Sequence, residues 1–234
     1  MKMKNKKAKQ IEAKQNHNKK LKVNRRTEPN LNRPNAELFE KPTILIVCEG
    51  ENTEPSYFNQ FRLSSATVKS VGEGYNTISL VNRAIELAMK KHYDQVWCVF
   101  DKNDFKENEF NEAIKKAETQ NFKVAYSNQS FEYWFILHLE DHQGGGMHRK
   151  DYNKKLKKLL NPFGVTYDGE GNKKVSEDFF ELLDGIDTKS GKKRIDLAIT
   201  RSKRNYNKFD HNNPAKEESS TTVFRLVEEI LKYG

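Results

Sequence analysis

The sequence predicts an α/β fold: a mostly parallel four-stranded sheet flanked by helices, with a C-terminal helical extension and a disordered basic N-terminal tail. Three observations lead there. Short apolar, β-branched runs alternate with segments of helical periodicity from residue 43 to residue 141. Beyond the glycine run "QGGGMH" only helical patterns recur. The excess positive charge sits entirely ahead of both regions, in a stretch too poor in apolar residues to bury itself. The implied organisation is a tail over 1–41, an α/β core over 42–149, and a helical extension of the same domain over 150–234.

The tail explains the net charge of +9. Residues 1–33 hold 12 Lys and Arg against Glu12 and Glu28, so the remaining chain is close to neutral. Such an arm suits phosphate contact, and it equally suits a solubilising leader or an amphipathic helix without a specific partner. No run approaches the roughly 20 apolar residues that span a bilayer, and the basic N-terminus lacks the apolar segment of a secretion signal. Cys48 and Cys98, the two cysteines, each fall in an apparent buried strand and are expected to be reduced. Together these features point to a cytoplasmic protein.

Each element has a local reason. Strands are expected at 43–48, 66–71 ("ATVKSV"), 95–100 ("QVWCVF") and 122–127 ("FKVAYS"). A helix over 54–63 carries Tyr57, Phe58 and Phe61 on one side, with Pro55 in its first turn, where the missing N–H costs little. A second, over 77–91, opens on Thr77 and aligns Ile78, Val81, Ile85 and Ala88. A third, over 107–120, aligns Phe110, Ile114 and Ala117. A fourth, over 130–141, is apolar on nearly every side and so should be buried. Further helices are expected near 150–160, 175–185, 192–205 and 219–233. Alternation of this kind builds parallel β-α-β units with right-handed crossovers.

In such a sheet, ligands bind beyond the carboxyl ends of the strands. Glu49 follows the first strand, Asp101 and Asp104 follow the third, and Ser127, Asn128 and Glu132 follow the fourth. Taken singly, each acid reads as well as a turn residue or helix cap. Taken together, they bring carboxylates to one edge, where mutual repulsion is commonly relieved by a divalent cation. Oxygen donors of this type favour Mg²⁺ or Mn²⁺. Glu132, inside an apolar helix, must be paired, liganded or turned outward.

The segments "ILIVCEGENTEPSYFNQF", "WCVFDKNDF" and "SNQSFEYWFILHLED" resemble the successive motifs of the RloB family, whose core is similar to a Toprim domain. The later "ESSTTVFRLVEEIL" resembles that family's closing helix, so the likeness spans most of 43–234. The resemblance implies metal-dependent phosphoryl transfer by a nuclease acting on DNA or RNA, in phage defence and often beside a partner ATPase. It also implies roles. Glu49 would activate the attacking water or bind metal, and Asp101 would hold Mg²⁺ or Mn²⁺ with Asn103 or Asp104. Glu132 would add a ligand or orient Glu54. Lys102, Glu54 and Asn128 are the candidate substrate contacts. The chain departs from the family's Asp-x-Asp at Asn103, whose neutral oxygen is a weaker metal ligand.

Weaker signals remain. The loop "GEGYNT" precedes a helix and offers backbone N–H groups to phosphate, though it is too short for a phosphate-loop signature. "HLEDH" places His138 and His142 one turn apart, and His148 could join them in a zinc site, but the Glu is misplaced for a zinc protease. The basic clusters 189–194 and 201–204 read either as a second phosphate surface or as solvated helix faces. Three function classes follow. One is a Toprim-type nuclease. Another is a non-catalytic nucleic-acid-binding or regulatory subunit. The last is a phosphatase-like enzyme using Asp101, since "VFDKND" superficially resembles the nucleophile loop of haloacid-dehalogenase phosphatases.

Overall fold

A computed structural model of the chain describes residues 14–16, 41–70, 77–104 and 106–234. The tail apart from 14–16 and 41, and the "GEGYNT" loop apart from Thr77, lie outside the described residues. Residues 41–234 form one compact unit.

Four strands appear in chain order: β1 (Ile44–Cys48), β2 (Ala66–Ser70), β3 (Gln95–Asp101) and β4 (Lys123–Ser127). All three pairings are parallel, and the spatial order is β2-β1-β3-β4. Between them run α1 (Thr53–Asn59), α2 (Thr77–Lys90) and α3 (Glu107–Thr119). After β4 come α4 (Glu132–Leu139), α5 (Arg149–Leu160), α6 (Glu177–Asp184), α7 (Arg194–Tyr206) and α8 (Val223–Leu231). The predicted α/β architecture, with its helical C-terminal part, is the one observed. Among the described residues no helix is long and apolar enough to cross a membrane.

Both faces of the sheet are covered, which is why β1 is apolar at every position rather than at alternate ones. Leu45, Val47, Cys98, Phe100 and Tyr126 pack against α2 and α3. Ile44, Ile46, Cys48, Trp97 and Val99 face α1, α4 and the later helices. Cys48 and Cys98 therefore lie on opposite faces of adjacent strands, both buried as free thiols. Burial raises both thiols well above their ordinary range, Cys98 to about 12. Helix α4 is the hub of the second face. Phe131 and Phe135 meet Tyr57 edge-on or tilted at 5.6–5.7 Å, and Phe135 meets Phe179 of α6 at 5.1 Å. Aromatic pairs at these distances add to the gain from burial alone.

Two boundaries differ from expectation for identifiable reasons. Helix α1 ends at Asn59, and Arg62 enters the left-handed region (φ 50°) as the chain turns back into β2. Helix α8 starts at Val223 rather than near 219, because residues 220–222 are used by the sheet. Thr222 N–H donates to Tyr126 O (2.7 Å), Asn128 N–H donates to Ser220 O (2.8 Å), and Ser127 forms an antiparallel bridge with Thr221. This segment closes the carboxyl end of the β4 edge.

Candidate functional site

The strand order fixes where a site can form. The chain leaves β1 for α1 on one face and leaves β3 for α3 on the other. The carboxyl ends of β1 and β3 therefore splay apart and open a crevice between them. Glu49 and Asp101 are the residues at those two ends. Glu49 N–H extends the ladder to Val99 O (2.9 Å), and Asp101 N–H donates to Glu49 Oε2 (3.1 Å). Strand β3 runs one residue further than expected, so Asp101 is its last residue and not the first of the loop. Its Oδ2 accepts from Phe131 N–H (2.9 Å), while its Oδ1 is buried with no partner.

Two further carboxylates join them. Glu54, in the first turn of α1, is buried, and its Oε2 lies so close to Gly50 that a Cβ there would sit 2.3 Å away. The glycine after Glu49 thus has a steric purpose: it admits the Glu54 carboxylate. Glu132, the first residue of α4, is also buried and accepts from Ser130 Oγ and from Tyr167 O–H (2.8 Å). Tyr167 also meets Thr53 Oγ1 at 3.1 Å.

Burial and mutual repulsion dominate the electrostatics. Burial lifts Glu49 to about 7, partly offset by the N–H of Asp101 and by Arg149. Glu54 rises to about 7, again first from burial and then from Glu132 and Glu49. Asp101 is pushed well above the usual carboxylate range by burial, Glu54, Glu49 and Glu132. Strongly perturbed acids in a cleft mark a candidate functional site.

The donor set suits a hard divalent cation, since the crevice holds carboxylate oxygens and one of them, Asp101 Oδ1, is unpartnered. Among the described residues, however, no group of three or more His, Cys, Asp or Glu is arranged to hold a metal ion. Glu49 Oε2 and both oxygens of Glu132 accept hydrogen bonds within the fold.

The other candidate residues are placed as follows. Asn103 is half-buried in the left-handed region (φ 46°), which Asn tolerates better than most residues, and its Oδ1 is buried without a partner. Asp104 is exposed. Lys102 is half-buried, with its N–H on Ser127 O (2.9 Å). Asn128 is buried and donates from Nδ2 to Pro214 O (2.8 Å), leaving Oδ1 without a partner. The three histidines are engaged separately. His138 Nδ1 contacts Trp134 O, His142 Nδ1 meets Tyr133 O–H, and His148 accepts from Lys150 N–H at the start of α5. Burial drives His138 down to about 3, keeping it neutral.

Sequence reasoning did not anticipate Gln129 or Tyr167. Gln129 is buried with φ 81° and an unpartnered Oε1, a strained non-glycine residue between Asn128 and Ser130. Tyr167 comes from an irregular stretch 35 positions beyond Glu132, with no periodicity to flag it. Tyr167→Phe removes one donor from a buried carboxylate and is expected to cost about 1–3 kcal/mol, read as a lower urea midpoint at neutral pH. An unchanged midpoint would show that the contact carries no stability. A groove of about 850 Å³ along β4, lined in part by Trp97, Phe122, Tyr126 and Arg225, includes none of the four carboxylates.

A parallel sheet in the order β2-β1-β3-β4, with a Glu-Gly after β1 and an Asp ending β3, is a Toprim-like fold. The family model described as RloB-like protein matches residues 44–230, and the chain belongs to the RloB family. No curated protein and no solved structure matches it.

Proposed function

We propose that this protein is a metal-dependent nuclease that hydrolyses phosphodiester bonds of DNA or RNA. The observation that carries this is the convergence of Glu49, Glu54, Asp101 and Glu132 at the β1/β3 crevice, with Asp101 Oδ1 buried and unpartnered. Asp101, through its unpartnered Oδ1, and Glu49 would hold Mg²⁺ or Mn²⁺. When bound, the ion supplies charge stabilisation to the phosphoryl oxygens. Glu49, with its pKa near neutrality, is suited to take a proton from the attacking water. Glu132, clamped by Ser130 and Tyr167, fixes one wall of the crevice and adds to the raised pKa of Glu54.

Family membership supports a role in phage defence with a partner ATPase. We take residues 42–149 as the catalytic core, 150–234 as an extension of the same domain that lends Tyr167, and 1–41 as a basic arm for nucleic acid. A non-catalytic nucleic-acid-binding subunit is the second reading, favoured by Asn103 at the position of the second aspartate. Incubating the full chain with plasmid DNA and with total RNA, with and without Mg²⁺ or Mn²⁺, separates the two. Metal-dependent backbone cleavage is expected. Binding without cleavage under every metal condition would establish the second reading.

A further inference from the structure

Helix α5 carries six Lys and Arg in twelve residues and a single acid, Asp151. Tyr152, Leu156 and Leu160 are its buried side and pack toward α4. At 100° per residue, Lys150, Lys154, Lys157 and Lys158 fall within an arc of about 100° on the opposite side. All four are exposed, and among the described residues none has a carboxylate within ion-pair distance. Lys157 feels Asp168 only at longer range. Lys155, turned the other way, pairs with Glu140 at 2.5 Å.

The basic clusters legible in the sequence are spent differently. Lys193 pairs with Asp184, Lys203 with Glu228 and Arg204 with Asp141. Arg194 and Arg201 donate to the carbonyls of Leu182 and Leu137. The charge of these five serves the fold, whereas Lys189 and Lys192 of the same clusters are exposed, as are Lys150, Lys154, Lys157 and Lys158 of α5.

The helix is also aimed at the site. Tyr152 stacks on Tyr133, the residue after Glu132, at 5.5 Å between centroids. Arg149, its first residue, is near enough to act on Glu49.

We propose that the exposed face of α5 is a track for a nucleic-acid strand leading to the carboxylate crevice, with Lys150, Lys154, Lys157 and Lys158 contacting successive phosphates. The proposal rests on the nuclease reading for the identity of its ligand. From Lys150 to Lys158 the helix rises about 12 Å, comparable with the axial rise of three to four nucleotides of one strand.

The test is fluorescence-anisotropy binding of labelled DNA and RNA oligonucleotides to the full chain in a Glu49→Gln background, so that cleavage does not interfere. Salt is varied from about 50 to about 200 mM. Changing all four lysines to Gln should lower the slope of log K against log salt by about 3 and weaken binding at least tenfold. Lys154→Gln with Lys158→Gln gives a milder variant, expected to lower the slope by about 1.5. Lys189→Gln with Lys192→Gln, also exposed, should change affinity less than about twofold. Unchanged affinity and slope in folded α5 variants, or an equal loss in the Lys189/Lys192 control, would overturn the track. Cleavage by the wild-type chain is scored separately. Lysine-dependent binding without cleavage defeats only the nuclease reading, and cleavage with lysine-independent binding defeats only the track.

Discussion

Glu49→Gln is expected to abolish cleavage by roughly a hundredfold or more, the scale for a positioned acid–base group, while leaving the protein folded. Gln keeps an oxygen for the N–H of Asp101, so the β1/β3 junction retains its hydrogen bond. What disappears is the carboxylate that can accept a proton near neutral pH. In metal-free buffer at pH 8 the variant should melt higher than the parent. It no longer holds a buried negative charge against Glu54 and Asp101. Asp101→Asn should lose cleavage to the same degree and bind Mn²⁺ more weakly, because it removes the charge of a carboxylate whose Oδ1 has no partner in the fold. If Glu49 is merely a turn residue, the substitution costs at most about 1 kcal/mol and activity survives. Cleavage and melting measured on one preparation distinguish these outcomes; a Glu49→Gln protein cutting at the parental rate would end the catalytic assignment.

A comparably large effect is expected from pH alone. Glu49 and Glu54 each titrate near 7 in the folded chain against about 4.5 for an ordinary glutamate, with burial the first cause. Between those values the folded state holds protons that the unfolded state has released. Stability therefore falls as pH rises through that window and levels off above it. One such group accounts for roughly 3 kcal/mol. Because the groups interact, the total is not a simple sum, and a loss of about 10 °C in melting temperature between pH 5 and pH 8 is expected for a domain of this size. The surface aspartates held low by their own partners, such as Asp94 and Asp187, act in the opposite sense below about pH 4, outside the window. Adding Mg²⁺ at pH 8 should restore much of the loss, since a ligand of the folded state alone stabilises it. Melting curves in chelator across this range, with and without Mg²⁺, provide the check. A melting temperature independent of both pH and Mg²⁺ would mean that the carboxylates are neither strained nor metal-binding.

The strands and helices around the crevice were legible because their physics is local. β1 is a run of apolar and β-branched residues, and α2 and α3 show a helical stripe. Glu49, Asp101 and Glu132 could be placed at one edge because parallel topology sends every strand end there. Four features lie outside that logic. Gly50 reads as a turn glycine until Glu54 is seen folding back over it. Tyr167 reaches Glu132 from an irregular segment, so only tertiary packing joins them. The start of α8 is not legible because Ser220, Thr221 and Thr222 have ordinary helix-end chemistry, while the edge of β4 competes for their backbone. The free basic face of α5 was likewise hidden, because sequence counts charges but does not say which are already paired.

The segment that covers β4 has a consequence for synthesis. All four strands have been made by Ser127, yet Thr222 Oγ1, which accepts from Tyr126 N–H, lies 96 positions beyond Tyr126. During that interval the Tyr126 and Asn128 edge has no neighbour from its own chain, and an uncovered edge invites pairing with other nascent chains. A ribosome that stalls before this point would release a nearly complete sheet with a sticky margin. The burden of keeping such intermediates apart then falls on chaperones and on the speed of elongation.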